Sequence, residues 1–374
     1  MRRILTITCM LAGPWAAAGG PAAEPDMPDQ IELRLKYRPG HVTRQRVVNK
    51  AVGSMKLFGL LPEQKFSQTF EQDLTIRCRS VNADGTAVVE MTMDRIAMKM
   101  SIFGSNVEFD TASPATRAAE PPGTDVVRKM FSAMAGSKLT MTIGPDGRPT
   151  NVEGAREMLK KMFDQLDDGN VPGFVRKMYD QLINLFGDDN VMQDMQQYNR
   201  MIPDKGPVRV GDKWDRKWEM KIPVFNGKVE GEGQYELLAI EEFHGRRCAK
   251  IGIKESFRMG GSPPPESESE TTTAPAKGIF ERMTFELKGS GGEGTAYWDY
   301  ESGDLVQLRQ TQRMTMEISL AADPNAETEE MKKAFGKMVQ KLNTSLNLDL
   351  LDDAGVPVAS PSEKSATATI TDEP

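Results

Sequence analysis

The chain has 374 residues, with 47 Lys and Arg against 54 Asp and Glu and a formal net charge of -7. A mildly acidic chain whose cations are dispersed, with no basic stripe and no aromatic ladder interleaved with Arg, is a poor nucleic-acid binder. Beyond the N-terminus no apolar run reaches the roughly 18 residues that a spanning helix needs, so no transmembrane segment is expected in the mature chain.

Arg2 and Arg3, the apolar stretch Ile4 to Ala12 and the small residues Ala16-Ala17-Ala18 read as a secretory signal over residues 1–18, with cleavage expected after Ala18. The mature protein is therefore expected to be exported, to the periplasm or outside the cell. Residues 19–30 form a Pro/Ala/Asp-rich linker. A first β-rich half, 31–152, opens with apolar/charged alternation from Ile31 to Tyr37, the pattern of a half-buried strand. Long strands are predicted at Val42 to Leu57, Phe66 to Val81 and Ala87 to Ile102, with a turn at Asn82-Ala83-Asp84-Gly85. Thr124 is placed to cap a short helix whose apolar face is Val127, Met130, Phe131 and Met134.

In a helical insert, residues 153–206, the period changes from two to about 3.6. Met158, Leu159, Met162, Phe163 and Leu166 share one face; Val175, Met178, Leu182, Leu185 and Phe186 share the next, and Val191, Met195, Tyr198 and Ile202 continue it. A second β-rich half, 207–351, is predicted to hold strands at Trp214 to Ile222, Lys228 to Ile240, Cys248 to Phe257, Phe280 to Leu287, Thr295 to Asp299 and Leu305 to Leu320. Trp214 is expected to pack beneath the sheet. Residues 260–278 read as a disordered loop. Met331, Ala334, Phe335, Met338 and Leu342 suggest a helix after Asp323-Pro324, followed by a closing strand from Ser345 to Leu351 and a disordered tail at 352–374.

The two β-rich stretches carry similar elements. Arg38-Pro39-Gly40-His41-Val42 matches Val210-Gly211-Asp212-Lys213-Trp214 as a Gly-marked strand start, and hairpins tipped by Gly147 and Gly303 recur. The expected fold is mainly β with α insertions (α+β): a large curved antiparallel sheet or half-barrel of two similar halves, with amphipathic helices packed against it.

Stretches that imitate catalytic motifs lack the required context. Gly289-Ser290-Gly291-Gly292-Glu293-Gly294 has the spacing of a dinucleotide fingerprint, but a strand rather than a helix follows it, so a flexible turn is expected. His41 and His244 sit alone beside glycines at predicted turns. Asp299, Glu301 and Asp304, and likewise Asp164, Asp167 and Asp168, cluster without a calcium-loop pattern. No catalytic, cofactor or metal site is assigned. Cys78 and Cys248 would be the cysteines left after cleavage, and an oxidising compartment would permit a bridge between them.

Methionine is the compositional oddity, with 24 residues. Met91 and Met93, Met98 and Met100, and Met314 and Met316 are i, i+2 pairs, so each pair shares a strand face. Core filling, a deformable apolar cavity and a Cu(I) site all use thioethers, and the absence of nearby His or Cys speaks against copper. Together with Met162 and Met178 on the helices, these six are the candidate apolar lining of a ligand site.

The Leu35-Lys36-Tyr37-Arg38-Pro39-Gly40 opening, the Val210-Gly211-Asp212-Lys213-Trp214 segment and the Gly-tipped hairpins resemble an uncharacterised family of exported bacterial β-rich proteins, a domain of unknown function. The architecture is also distantly similar to the half-barrels of LolA/LolB-type lipoprotein carriers. That likeness is architectural; Met-rich helix stripes against a sheet with Met pairs on one face point to a non-catalytic binding protein for a lipid, a lipid-modified protein or another apolar ligand. The alternative is a structural or protein-interaction module of the cell envelope without a ligand cavity. Whether the methionines line a cavity or fill a core separates the two.

Overall fold

The alternation in the sequence is realised as one sheet. A computed structural model describes residues 27–56, 62–102, 105–113, 124–164, 200–204, 206–222, 227–260, 283–320 and 337–358. The signal segment, residues 165–199 with Met178 and the later helical faces, most of the 260–278 loop and most of the C-terminal tail lie outside the described residues. The strands are β1 (Val42–Lys56), β2 (Gln64–Val81), β3 (Ala87–Ile102), β4 (Ser105–Asp110), β5 (Lys138–Ile143), β6 (Pro149–Glu153), β7 (Lys213–Ile222), β8 (Gly227–Phe243), β9 (Arg246–Gly260), β10 (Met283–Asp299), β11 (Asp304–Leu320) and β12 (Lys337–Leu351). Two helices, α1 (Thr124–Met134) and α2 (Ala155–Asp164), complete the described elements.

All twelve strands join one antiparallel sheet in the order β6-β5-β3-β2-β1-β12-β11-β10-β9-β8-β7, with β4 paired to the far end of β3. The sheet is curved and does not close, so β6 and β7 remain its edges. Its order is symmetric about the central β1–β12 pair, with a meander running outward on each side.

Register assigns the side chains to two faces. Val47, Leu348, Leu308, Ala296, Ile251 and Leu237 stand opposite one another in successive strands and share the inner face. So do Phe70, Met98 and Phe109 toward the other side. Ile31, Leu33, Met201, Ile202 and Val208 cover the inner face over β8 to β12. Tyr37, α1 and the start of α2 cover it over β2 to β5, where the Phe131 ring stacks on Phe109 at 5.3 Å. Leu159, Met162 and Phe163 of α2 then close on Ala133 of α1. Trp214 is half-buried on this face and stacks on Tyr235 at 6.0 Å.

The outer face carries charge, most densely in a ladder across four strands. Arg46 donates to Asp73 at 2.7 Å, and Arg95 bridges Glu71 and Asp110, reaching the latter at 2.7 Å. Hydrogen bonding to Arg95 holds the Asp110 carboxyl below the usual aspartate value.

Several sequence expectations are corrected. Ile31 to Tyr37 is not a strand: Ile31 makes an isolated bridge to Val208, and the segment crosses the sheet as a cover whose alternation buries Ile31 and Leu33. Met338 and Leu342 belong to β12, which starts at Lys337, because Leu342, Leu346 and Leu348 also fit a period of two. The Gly289 to Gly294 run is no turn but part of β10, one strand in place of the two expected, with a bulge between Lys288 and Gly291. β4 was not anticipated.

Cys78 and Cys248 are buried free thiols. They sit on β2 and β9, five strand spacings or roughly 24 Å apart along the sheet, far beyond the ~7 Å Cα separation that a bridge tolerates.

Candidate functional site: the inner face of the sheet

The inner face of the central strands is free of charge. From Thr43 to Met55 on β1, Gln64 to Ile76 on β2, Gln340 to Leu350 on β12, Leu308 to Met316 on β11, and at the described inward positions of β10 from Leu287, no inward residue is Asp, Glu, Lys or Arg. The outward positions of the same strands include Arg44, Arg46, Lys50, Glu71, Asp73, Arg309, Arg313, Lys341 and Asp349. Half of the inner face is closed by the covers described above. The other half, toward the ends of β1 and β2 that carry Met55 and Gln64, is only half-buried, and Asn49 on it is exposed.

The open half is organised in rows. Crossing the strands, Arg216, Gly233, Glu255, Gly292 and Gln312 stand side by side, and the same row runs on through Thr344, Ala51, Gln68 and Met100. Nearer the rim lies an apolar row of Trp218, Phe257, Met314, Leu342 and Phe66. Met316, Leu287 and Met55 follow it. A polar band is thus held between a closed core and an apolar rim.

Glycines shape one end of that band. Gly231, Gly233, Gly292 and Gly294 flank β9 on the inner face: the side chains of Trp218, Tyr235 and Gln312 occupy the space a Cβ would need at the first three, and the Arg309 carbonyl and Gln310 crowd it at Gly294. This lets polar groups converge on Glu255, which accepts hydrogen bonds from the Tyr235 hydroxyl at 3.0 Å and from Gln310 Nε2 at 2.7 Å. Burial, then the Glu255 charge, pushes the Tyr235 hydroxyl well above the usual tyrosine range, so it stays a donor. Arg216 is engaged by Asp204 and by the Ile202 carbonyl, and the Arg200 guanidinium sits 3.8 Å above the Trp218 ring. A cleft of about 450 Å³ opens between Leu33, Arg148, Arg200, Ile202 and Trp218, and another of about 540 Å³ lies over Trp218, Gly231 and Phe257.

The structure brings all six strand methionines onto this one face. Met93 and Met98 would fall on opposite faces by strict alternation, but the irregularity between Asp73 and Leu74 in the β2–β3 register restores them to the same side. Met91, Met93 and Met98 are buried in the closed half, Met100 lies in the polar row, and Met314 and Met316 are half-buried toward the rim. Met162 is buried between the helices. The Glu255 cluster was not among the sequence candidates, although Ile251, Ile253, Glu255 and Phe257 alternate in a way that marks Glu255 as inward.

The acidic hairpin tip is a turn cap. Asp299 accepts from the backbone N–H groups of Glu301 and Ser302 and from Arg246. Burial alone would raise its carboxyl, yet these donors leave it below the ordinary value. Among the described residues no three His, Cys, Asp or Glu side chains gather as a metal site.

An open antiparallel sheet whose central strands present an uncharged inner face, with two covering helices among the described residues, is the class this geometry defines. Residues 84–303 match the Family of unknown function (DUF6263), more than half of the chain, and the protein belongs to that family. No curated protein matches it. Among solved structures it is similar to lipovitellin, from work on lipid–protein interactions in lipovitellin, at 8% identity and a TM-score of 0.39, over 87% of this chain and 26% of that one. The chain thus spans about a quarter of the lipovitellin chain. It is also similar to DynF of the dynemicin biosynthesis pathway of Micromonospora chersina, at 7% identity and a TM-score of 0.17, over 90% of this chain and 92% of that one. A DUF1329 family protein from Desulfovibrio piger gives 9% identity and a TM-score of 0.13, over 86% and 90%. Likenesses this weak carry no argument about a ligand.

Proposed function

We propose that the protein is an exported, non-catalytic binding protein whose inner sheet face receives a lipid, a lipid-modified protein or another apolar ligand. The observation that carries this reading is the absence of charge from the inward positions of five adjacent strands, including rows that the described covers leave half-open. A sheet face meant for water alternates with polar and charged residues, as the outer face does here. A contiguous uncharged face with a half-exposed apolar rim is what an apolar partner needs. Met314 and Met316 suit varied chains because thioethers repack. Export rests on the N-terminal signal pattern, and N-terminal sequencing of the mature protein should begin near Gly19.

The test is titration with a fluorescent acyl probe. Each enclosed methylene contributes about 0.8 kcal/mol, so partial enclosure of one chain reaches roughly micromolar affinity after ordering costs. Met314→Lys with Leu342→Glu should abolish binding while the β signal in circular dichroism persists. No saturable binding of any acyl probe by the unmutated protein at tens of micromolar would favour the structural or interaction module.

A further inference from the structure

Resting on that reading, we propose that the inner face selects ligands with an uncharged polar mid-section flanked by hydrocarbon, the chemistry of neutral acyl esters, over free fatty acids and other anionic lipids. Over β11, β12, β1 and β2 the polar band is built from neutral groups. Gln312, Thr344 and Gln68 lie in one register row across β11, β12, β1 and β2, with the small Ala51 between the last two. Three strand spacings separate Gln312 from Gln68, roughly 14 Å, a width that accommodates a pair of ester groups. Amides both donate and accept, and the threonine hydroxyl does the same, so the band meets ester carbonyls and free hydroxyls equally well. None of these three side chains bonds another described side chain, whereas Gln310, one row deeper, is committed to Glu255.

The rows on either side explain the hydrocarbon. Met314, Leu342 and Phe66 lie about two residues farther along their strands, some 7 Å toward the rim, and Leu346 and Phe70 lie the same distance below. An ester group at Thr344 or Gln68 therefore has apolar side chains on both sides, while Gln310 and Asn49 lie below Gln312 and Ala51. Among the described residues no cation stands in the row from Gln312 to Gln68: Glu255 lies in the same row two strands from Gln312, Arg216 is already held by Asp204 and the Ile202 carbonyl, and the Arg200 guanidinium is stacked on Trp218. Burying a carboxylate or phosphate there without a partner is costly.

The experiment titrates the full chain at pH 7 with three fluorescent probes of equal chain length: a diacylglycerol, a free fatty acid and a plain hydrocarbon. The diacylglycerol should bind at least about ten-fold more tightly than the fatty acid, and Gln312→Leu with Thr344→Val should erase that preference while hydrocarbon binding is unchanged. Gln68→Leu, at the other end of the row, provides a second variant if the first pair does not fold. Equal or tighter binding of the fatty acid, or a preference that survives both variants, overturns the proposal while leaving the apolar-ligand reading standing. If the hydrocarbon also fails to bind, both fall together.

Discussion

Replacing Gly231 by Ala tests the glycine floor directly. The added Cβ would collide with Cε2 and Cζ2 of Trp218, whose ring also carries the Arg200 guanidinium. Gly231 has no positive φ, so backbone strain is not involved and the clash alone sets the cost. Overpacking of this kind costs about 1–3 kcal/mol. In a Trp218→Ala background the space is free, and the same change should instead stabilise by ~0.5 kcal/mol through the lower entropy cost of ordering Ala in a strand. The coupling between the two sites should then be about 1.5–3.5 kcal/mol, read from the four urea midpoints of a double-mutant cycle followed by far-ultraviolet circular dichroism. Additivity within ~0.5 kcal/mol would show that the indole does not rest on Gly231, and would remove the physical basis assigned to the glycine floor.

The outer-face ladder makes stability acid-sensitive. The Asp110 carboxyl is depressed by Arg95, so its contribution is present above the ordinary aspartate value of 3.8 and lost as pH falls through the lowered folded value. Arg95→Met should flatten that part of the acid limb and cost about 2 kcal/mol at neutral pH; an unchanged limb would refute the pairing. Burial holds the Cys248 thiol pushed up to about 12, so native protein should react slowly with a thiol reagent, and both Cys78 and Cys248 should titrate as free thiols in denaturant without reductant. Loss of those thiols in the unreduced protein would mean a bridge and a different register.

The long strands were legible because alternation and their turn residues agreed. Val42 to Lys56 starts after Gly40 in a positive-φ turn, and β2 and β3 meet at Asn82 to Gly85 as the turn chemistry required. Ambiguity arose where two periods fit the same residues. Met331, Ala334, Phe335, Met338 and Leu342 satisfy a helix, yet Leu342, Leu346 and Leu348 satisfy a strand; pairing with β1 and β11 settles it for Met338 and Leu342, while Met331, Ala334 and Phe335 lie outside the described residues. Glycine misled in β10 because its local weakness in a strand is visible, whereas the Gln312 side chain and the Arg309–Gln310 backbone that crowd its open side come from another strand. The six methionines were legible as same-face pairs. Their division between a closed core and a half-open rim depends on covers from distant segments, which no local pattern reports.

The central β1–β12 pair places the first and last strands of the sheet against each other, with Val47 opposite Leu348. The two arms can each form from hairpins between near neighbours, but the seam that unites them waits for nearly the whole chain, so it carries the largest loop-closure entropy and completes late in folding. Until then β1 and β12 are bare edges bearing long ladders of unmet hydrogen bonds, the kind of surface that recruits other chains. Loss of the last strand, by truncation or a premature stop, would therefore do more than shorten the sheet. It would leave the two halves unjoined and turn a protected centre into two templates for aggregation.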